Sequence, residues 1–404
     1  MKVPSSVAVV SLLSLVDNVQ SAITFPLKPI DQKYKDVIKQ SRTHARDVKA
    51  RDGTTITVPV KDWIKHTADL QWYTEIEVGT PPQKFNVIFD TGSYDMFIAN
   101  KNCTGAGNSR LFDPSKSSSF SEQPHEHQHF GYGTGVDSIP LQYAGEGTTG
   151  YIVTDSVGID GHKVENQQFL LCDEYPEFMA NVPFDGVMGI GMEGATGLPS
   201  RSPWYWALYN QGDLAGPEFS LYYPQHEADG AEMTLGGTNP ARYTGEINYV
   251  SLGDDGNFVG QQPSMAVNGK KLAGVTDKST IFDSGTAYLA GPDELVTAFY
   301  KAVSPKIKKL NHEAWGVSCD VIDSLAAEIS FTFGTDSGTF TATVPKSAFN
   351  LGPYEGKPGI CQTVFSSVEG LGGSFLLGAP LLKQYYTVWD GHNNKLGFAT
   401  LKTN

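Results

Sequence analysis

Two short segments of this chain are near copies of each other: residues 88–93, IFDTGS, and residues 281–286, IFDSGT. Each has two apolar residues, an aspartate, a hydroxyl residue, a glycine and a second hydroxyl residue, and Asp90 and Asp283 lie 193 positions apart. One such segment alone is typical of an ordinary turn. Two carboxylates in contact behave differently, because like charges do not both ionise easily and one proton is held at a raised pKa. The repeat therefore predicts an acid–base pair.

The similarity between the two halves extends beyond these segments. Gly186 follows Asp90 by 96 residues and Gly378 follows Asp283 by 95 residues, each within an apolar stretch. A shared interval of this kind indicates two copies of one domain. The body of about 350 residues exceeds what one hydrophobic core usually supports. Strand-forming residues and turn signals dominate it, and residues 293–303 are one short helix candidate, so we predict a mostly β protein with two lobes.

Over residues 54–404 the chain resembles the pepsin-like aspartic proteases. Besides the two aspartate motifs, the matching segments are VGTPPQ at 78–83, FDGVMG at 184–189, LGAPLLKQYYTVWD at 377–390 and NKLGFA at 394–399. The general appearance is that of a secreted fungal member. The resemblance implies an all-β, bilobal fold of two related β-barrel-like lobes with the active-site cleft between them. We place the N-terminal lobe, with Asp90, at residues 52–245 and the C-terminal lobe, with Asp283, at residues 246–404.

An aspartate pair of this kind hydrolyses peptide bonds with an activated water, without a covalent intermediate, a metal or a cofactor. The flanking residues are expected to support the pair. Glycines bring backbone N–H groups close to the carboxylates, one hydroxyl residue of each motif cross-links the two loops by resemblance to the family, and the other bonds an outer carboxylate oxygen. In chain order these residues are Thr91, Gly92, Ser93, Ser284, Gly285 and Thr286, of which Thr91 and Ser284 are the cross-linking ones.

The family also closes a β-hairpin flap over the substrate, with a tyrosine at its tip. Tyr132 lies in the segment FGYGTG, which matches the family's Tyr-Gly-Thr-Gly sequence, and it follows Asp90 by 42 residues. Tyr143 is the alternative, because its distance to the following strand fits better. We predict Tyr132. Phe97 stands where the family commonly has a tryptophan whose N–H bonds that tyrosine, and Tyr94 is bulkier than the usual small residue.

Four cysteines in a secreted chain suggest two disulfides. Cys319 and Cys361 fall where the family has the bridge of its C-terminal lobe. Cys103 lies where the family often begins a small disulfide loop, but the near partner of that loop is missing. Pairing of Cys103 with Cys172 is the remaining option.

The N-terminal part of the chain has the pattern of targeting and processing segments. Residues 1–22 read as a signal peptide, because the apolar run at 7–16 is too short to span a bilayer. Residues 23–51 carry eight basic and three acidic residues, a net charge of +5, whereas residues 52–404 carry a net charge of −19. We interpret residues 23–51 as a propeptide held on the acidic body by charge, which acts as an inhibitor until acid pH releases it. The predicted product is a secreted monomer (alternatively vacuolar) that acts on polypeptides and binds neither nucleic acid nor membrane.

Three other functions are less consistent with the sequence than a protease. His125, His127 and His129 alternate as strand neighbours would, a spacing that suits a metal, but a solvated segment explains it equally well and we predict no metal site. A catalytically dead binding protein on the same fold would have lost an aspartate, and both are present. A carbohydrate-active enzyme would need its two carboxylates farther apart. The prediction is an acid endopeptidase made as a zymogen.

Overall fold

The computed structural model describes residues 55–65, 68–122, 149–175, 179–180, 182–192, 202–224, 230–253, 258–260, 264–276, 278–336, 338–354, 356–368 and 373–402. The predicted signal peptide (1–22) and propeptide (23–51) lie outside these residues, as do the two flap candidates, Tyr132 and Tyr143, and the three alternating histidines.

The described residues are mostly strands, which confirms the predicted all-β fold. The strands of the first part of the chain are β1 Ile56–Lys65, β2 Ala68–Val78, β3 Gln83–Asp90, β4 Met96–Thr104, β5 Ser121–Glu122, β6 Thr149–Ile159, β7 His162–Glu174, β8 Gly186–Gly189, β9 Glu218–Tyr222, β10 Ala231–Leu235 and β11 Tyr243–Ser251. They are followed by β12 Val259–Gly260, β13 Ser264–Val267, β14 Lys270–Lys271, β15 Thr280–Phe282, β16 Leu289–Gly291, β17 Lys308–Lys309, β18 Trp315–Ser318, β19 Ile329–Thr335, β20 Gly338–Val344, β21 Asn350–Pro353, β22 Ile360–Thr363, β23 Phe365–Ser367, β24 Phe375–Leu377, β25 Tyr385–Asp390 and β26 Lys395–Leu401.

Within the same residues the helices are short: α1 Trp204–Gln211, α2 Asp293–Val303, α3 Cys319–Leu325 and α4 Ala379–Leu382. Helix α2 occupies the predicted residues. Its buried side chains, Leu295, Val296, Phe299 and Tyr300, recur at the spacing of one helical face. Acidic residues in its first turn and Lys301 in its last turn have the charges that a helix dipole favours. No described helix is long and apolar enough to cross a membrane.

The internal repeat appears in the strand pairing. In the first lobe β3 runs parallel to β8, β8 is antiparallel to β4, and β4 is parallel to β7. In the second lobe β15 runs parallel to β24, β24 is antiparallel to β16, and β16 is parallel to β23. The same order of parallel and antiparallel partners therefore surrounds each aspartate motif. This equivalence is what a duplicated domain predicts.

One antiparallel sheet joins the two lobes. Its order is β1, β10, β9, β25, β26 and β11, so that strands from the beginning, middle and end of the described chain pair side by side. Trp389 of β25 stacks on Phe219 of β9, with ring centroids 5.9 Å apart. The predicted boundary between residues 245 and 246 lies inside β11, in this shared sheet.

The structure joins Cys319, at the start of α3, to Cys361 of β22 through a disulfide. The pairing of Cys103 with Cys172 is wrong for this structure, in which both are free thiols. Cys103 packs against the core cluster that contains Cys172, so the two thiols share one apolar region without being bonded. The Cys103 thiol instead donates to the Thr104 carbonyl.

Candidate active site

Asp90 is the last residue of β3, whose final four residues are buried. It is aligned with Gly189 of β8, and the chain turns sharply after it. The Gly92 backbone N–H donates to Asp90 Oδ1 at 2.9 Å, and the Ser93 hydroxyl donates to Oδ2 at 2.5 Å. Both carboxylate oxygens are therefore held by residues within three positions, which defines the orientation of the carboxylate.

Asp283 follows β15 and has the equivalent partners. The Gly285 N–H donates to Asp283 Oδ1 at 2.7 Å, and the Thr286 hydroxyl donates to Oδ2 at 2.6 Å. The predicted glycine and outer hydroxyl positions thus have the same geometry in both motifs.

The two carboxyl groups lie against each other at the interface of the lobes. Both aspartates are completely buried. A Cβ atom added to Gly92 would lie 2.6 Å from the Asp283 carboxyl carbon, and one added to Gly285 would lie 2.7 Å from the Asp90 carboxyl carbon. Any larger side chain would overlap the carboxyl of the opposite lobe. Glycine is therefore required at both positions by the close approach of the pair.

Thr91 and Ser284 link the two loops by four reciprocal hydrogen bonds. The Thr91 N–H donates to Ser284 Oγ at 3.1 Å, and the Ser284 N–H donates to Thr91 Oγ1 at 2.8 Å. Each hydroxyl in turn donates across the interface, Thr91 to the Phe282 carbonyl at 3.2 Å and Ser284 to the Phe89 carbonyl at 2.8 Å. The network fixes the separation of the aspartates because each loop is tied to the backbone of the other.

The electrostatics of the site favour a shared proton. Burial raises the pKa of Asp90 well above its usual range, and the adjacent Asp283 carboxylate raises it further. The bonds from Ser93 and Gly92 act in the opposite direction but do not outweigh these effects. Two carboxyls this close titrate as one unit, so the pair holds one proton over a range of pH in which an isolated aspartate would be ionised.

Neighbouring aromatic residues show where the first motif is unusual. Phe97 is buried and packs edge-on against Tyr175, with centroids 5.7 Å apart. A phenylalanine has no side-chain N–H, so this position offers no hydrogen bond to a flap. The ring of Tyr94 lies against Gly191, where an added Cβ would approach its Cε1 to 2.6 Å. The bulk of Tyr94 is thus accommodated by a glycine after β8.

A further polar residue reaches the site without having been predicted. Gln71 of β2 is buried and donates from Nε2 to the Gly285 carbonyl at 2.5 Å. A single glutamine within a strand has no motif in sequence, so only the tertiary structure reveals this contact. The described residues contain no cluster of potential metal ligands.

Comparison with known proteins agrees with this geometry. The family model described as "Eukaryotic aspartyl protease" matches residues 71–401. The chain therefore belongs to the eukaryotic aspartyl protease family. It is an aspartic-type endopeptidase with the pepsin-like fold.

Individual relatives cover most of the chain. Renin-2 of Mus musculus is 30% identical over 339 residues, which cover 81% of this chain and 79% of renin-2. Pepsin A of Suncus murinus is 29% identical, covering 82% and 81% of the two chains. Pregnancy-associated glycoprotein of Equus caballus is 28% identical over 96% of this chain and 98% of its own. The similarity therefore extends over both lobes.

Proposed function

We propose that Asp90 and Asp283 are the catalytic residues of this endopeptidase, and that the enzyme is made as a zymogen and works at acid pH. The observation that carries the assignment is the contact of two fully buried carboxyls, with both oxygens of each held by a backbone N–H and a hydroxyl. This arrangement supplies a base and an acid in one place.

The chemistry balances within the pair. The ionised carboxyl takes a proton from a bound water, whose oxygen forms a bond to the peptide carbonyl carbon while the protonated carboxyl gives its proton to the carbonyl oxygen. The resulting diol collapses as the C–N bond breaks. The leaving nitrogen receives a proton from one carboxyl, and a diol hydroxyl returns one to the other. The pair ends with the single proton with which it began.

Acid pH follows from the need for one proton in the pair. Activity requires a mixed state, one carboxyl protonated and one ionised, and a raised pKa extends that state upward from the ordinary range of aspartate. Once pH rises past that raised pKa, the proton is lost and the acid is missing. The flanking residues that hold the pair in contact are Thr91, Gly92, Ser93, Ser284, Gly285 and Thr286.

The zymogen proposal is supported by charge. Residues 23–51 carry a net charge of +5, and the rest of the chain after residue 51 carries −19. The attraction is strongest near neutral pH and weakens as carboxylates are protonated, which would release the basic segment in acid. With residues 1–22 as a signal peptide, the product is a secreted monomer, or alternatively a vacuolar one.

The test is proteolysis by the activated enzyme at about pH 3 to 5, with and without a statine-type transition-state analogue. We expect the analogue to abolish cleavage and Asp90→Asn to remove it. Cleavage that resists the analogue, or that survives in Asp90→Asn, would refute the assignment. Incubation of the purified full chain at pH 7 and at pH 4, followed by N-terminal sequencing, tests the zymogen: processing near residue 51 is expected only in acid.

A further inference from the structure

A glutamine of the N-terminal lobe restrains the active-site loop of the C-terminal lobe. Gln71 Nε2 donates to the Gly285 carbonyl oxygen, and the Gly285 N–H donates to Asp283 Oδ1. Because a carbonyl only accepts, the atom of Gln71 that faces it is the amide nitrogen. The glycine beside Asp283 is therefore held at its N–H by the carboxylate and at its carbonyl by the opposite lobe.

This restraint matters because of the residue it acts on. Glycine has more backbone freedom than any other residue, and a larger residue is excluded here by the Asp90 carboxyl. The loop cannot be stiffened by a side chain at position 285, so the direction of its N–H depends on outside contacts. A bond to the carbonyl of the same residue limits that freedom.

The polar group of Gln71 is directed at the Gly285 loop. Its side chain is completely buried, and Oε1 has no hydrogen-bond partner in the described part of the chain. An apolar side chain of similar size would fill the same buried space but would leave the Gly285 carbonyl without this donor. The bond to Gly285 is what the glutamine adds at this position.

We propose that Gln71 is a positioning residue for the catalytic pair, acting through Gly285 on the orientation of the Asp283 carboxylate. The proposal rests on the assignment of Asp90 and Asp283 as catalytic. Loss of the bond leaves the pair present but less well aligned, so it lowers kcat more than it changes KM.

The test uses two substitutions that differ in their response to pH. Gln71→Ala removes the donor at every pH, and we expect about tenfold lower kcat with KM changed less than about twofold. Gln71→Glu is nearly isosteric; its protonated carboxyl donates to Gly285, and its carboxylate does not. The ratio of kcat for Gln71→Glu over Gln71→Ala should therefore be well above one at pH 3 and fall to one or less as pH rises past the carboxyl pKa, ordinarily about 4.3 and raised by burial.

A matched control is available in β7. Gln167 is also buried, donates from Nε2 to the Gln168 and Ser202 carbonyls and leaves Oε1 without a partner. Gln167 is aligned with Asp155 of β6 and lies outside the Asp90 and Asp283 motifs. Gln167→Glu introduces the same chemical change there, and its kcat relative to the parent enzyme should not depend on pH. Titration of active sites with a tight transition-state analogue normalises each variant to its folded fraction.

Two results would overturn the proposal: parental kcat in Gln71→Ala, or a kcat of Gln71→Glu at pH 3 that is no higher than that of Gln71→Ala. Either result, obtained while the parent enzyme cleaves and Asp90→Asn does not, rejects the role of Gln71 and leaves the catalytic assignment standing. If Asp90→Asn is itself active, the catalytic assignment fails first.

Discussion

Substitution of Gly92 by alanine should disable the enzyme by forcing the two carboxyls apart. The added Cβ would lie 2.6 Å from the Asp283 carboxyl carbon and 2.8 Å from each of its oxygens. Non-bonded carbon atoms are normally about 3.5–4.0 Å apart, so the Asp283 carboxyl must retreat by about 1 Å. A displacement of about 1 Å in a catalytic group costs on the order of 100-fold in rate. We expect kcat of Gly92→Ala to fall by at least that factor.

The assay is steady-state cleavage of a peptide substrate across acid pH, with active sites titrated. The pH dependence gives a second readout. Part of the raised pKa of Asp90 comes from the adjacent Asp283 carboxylate, so separation of the two lowers it. The alkaline limb of the pH profile should therefore move to lower pH in any residual activity.

Gly334, in β19, provides the control. An added Cβ there meets no atom within 4 Å, and the backbone is not in the left-handed region. Gly334→Ala should keep parental kcat and should not lose stability. If Gly92→Ala retained more than about a tenth of the parental kcat, the contact geometry of the pair described above would be refuted.

Three further outcomes are expected from the same structure. Thr91→Ala leaves the buried Ser284 N–H without its acceptor and should lower the free energy of unfolding by about 1–3 kcal/mol, whereas Thr91→Ser keeps the hydroxyl and should lose less than half as much. The folded enzyme holds the Asp90 proton more tightly than the unfolded chain does. The free energy of unfolding that Asp90 contributes is therefore complete below about pH 3.9 and is lost as pH rises through the folded-state pKa. Between about pH 4 and pH 7, Asp90→Asn should lose less stability than the parent enzyme. Asp185→Ala removes the acceptor of the Arg110 backbone and guanidinium N–H groups, each at 2.7 Å, and should accelerate thermal inactivation severalfold.

Each of these has a clear contrary result. Equal stability of the alanine and serine variants at position 91 would show that the hydroxyl network is not what stabilises the loops. Parallel stability curves for Asp90→Asn and the parent would show that the Asp90 pKa is not raised by folding. Unchanged inactivation of Asp185→Ala would show that water replaces the carboxylate at Arg110. Urea midpoints across pH measure the first two, and inactivation half-lives measure the third.

Several features were predictable because they depend on short segments or on a repeat. The two aspartate motifs, the all-β fold and helix α2 all follow from local pattern and spacing. The matching strand order around β3 and β15 then shows that the 96- and 95-residue intervals measure the same structural unit twice.

Pairing between distant side chains was less predictable. Cys103 and Cys172 were the only cysteines left after the family bridge, yet both are free thiols although Cys103 packs against the cluster that contains Cys172. A disulfide needs specific distances and directions of the two Cβ atoms, which closeness in one cluster does not supply. Elimination by counting therefore does not establish a disulfide.

The sequence by itself determined that this chain carries two equivalent aspartate loops in a duplicated β framework, because the aspartate motif and the interval to the following glycine both occur twice in the chain. Only the tertiary structure decided that each glycine faces the carboxyl of the other lobe, that the Thr91 and Ser284 hydroxyls also bond the Phe282 and Phe89 carbonyls, and that Gln71 holds Gly285 from across the interface. The reason is physical: these contacts join residues about 190 to 215 positions apart, and their energies depend on distances of a few tenths of an ångström that no local pattern encodes.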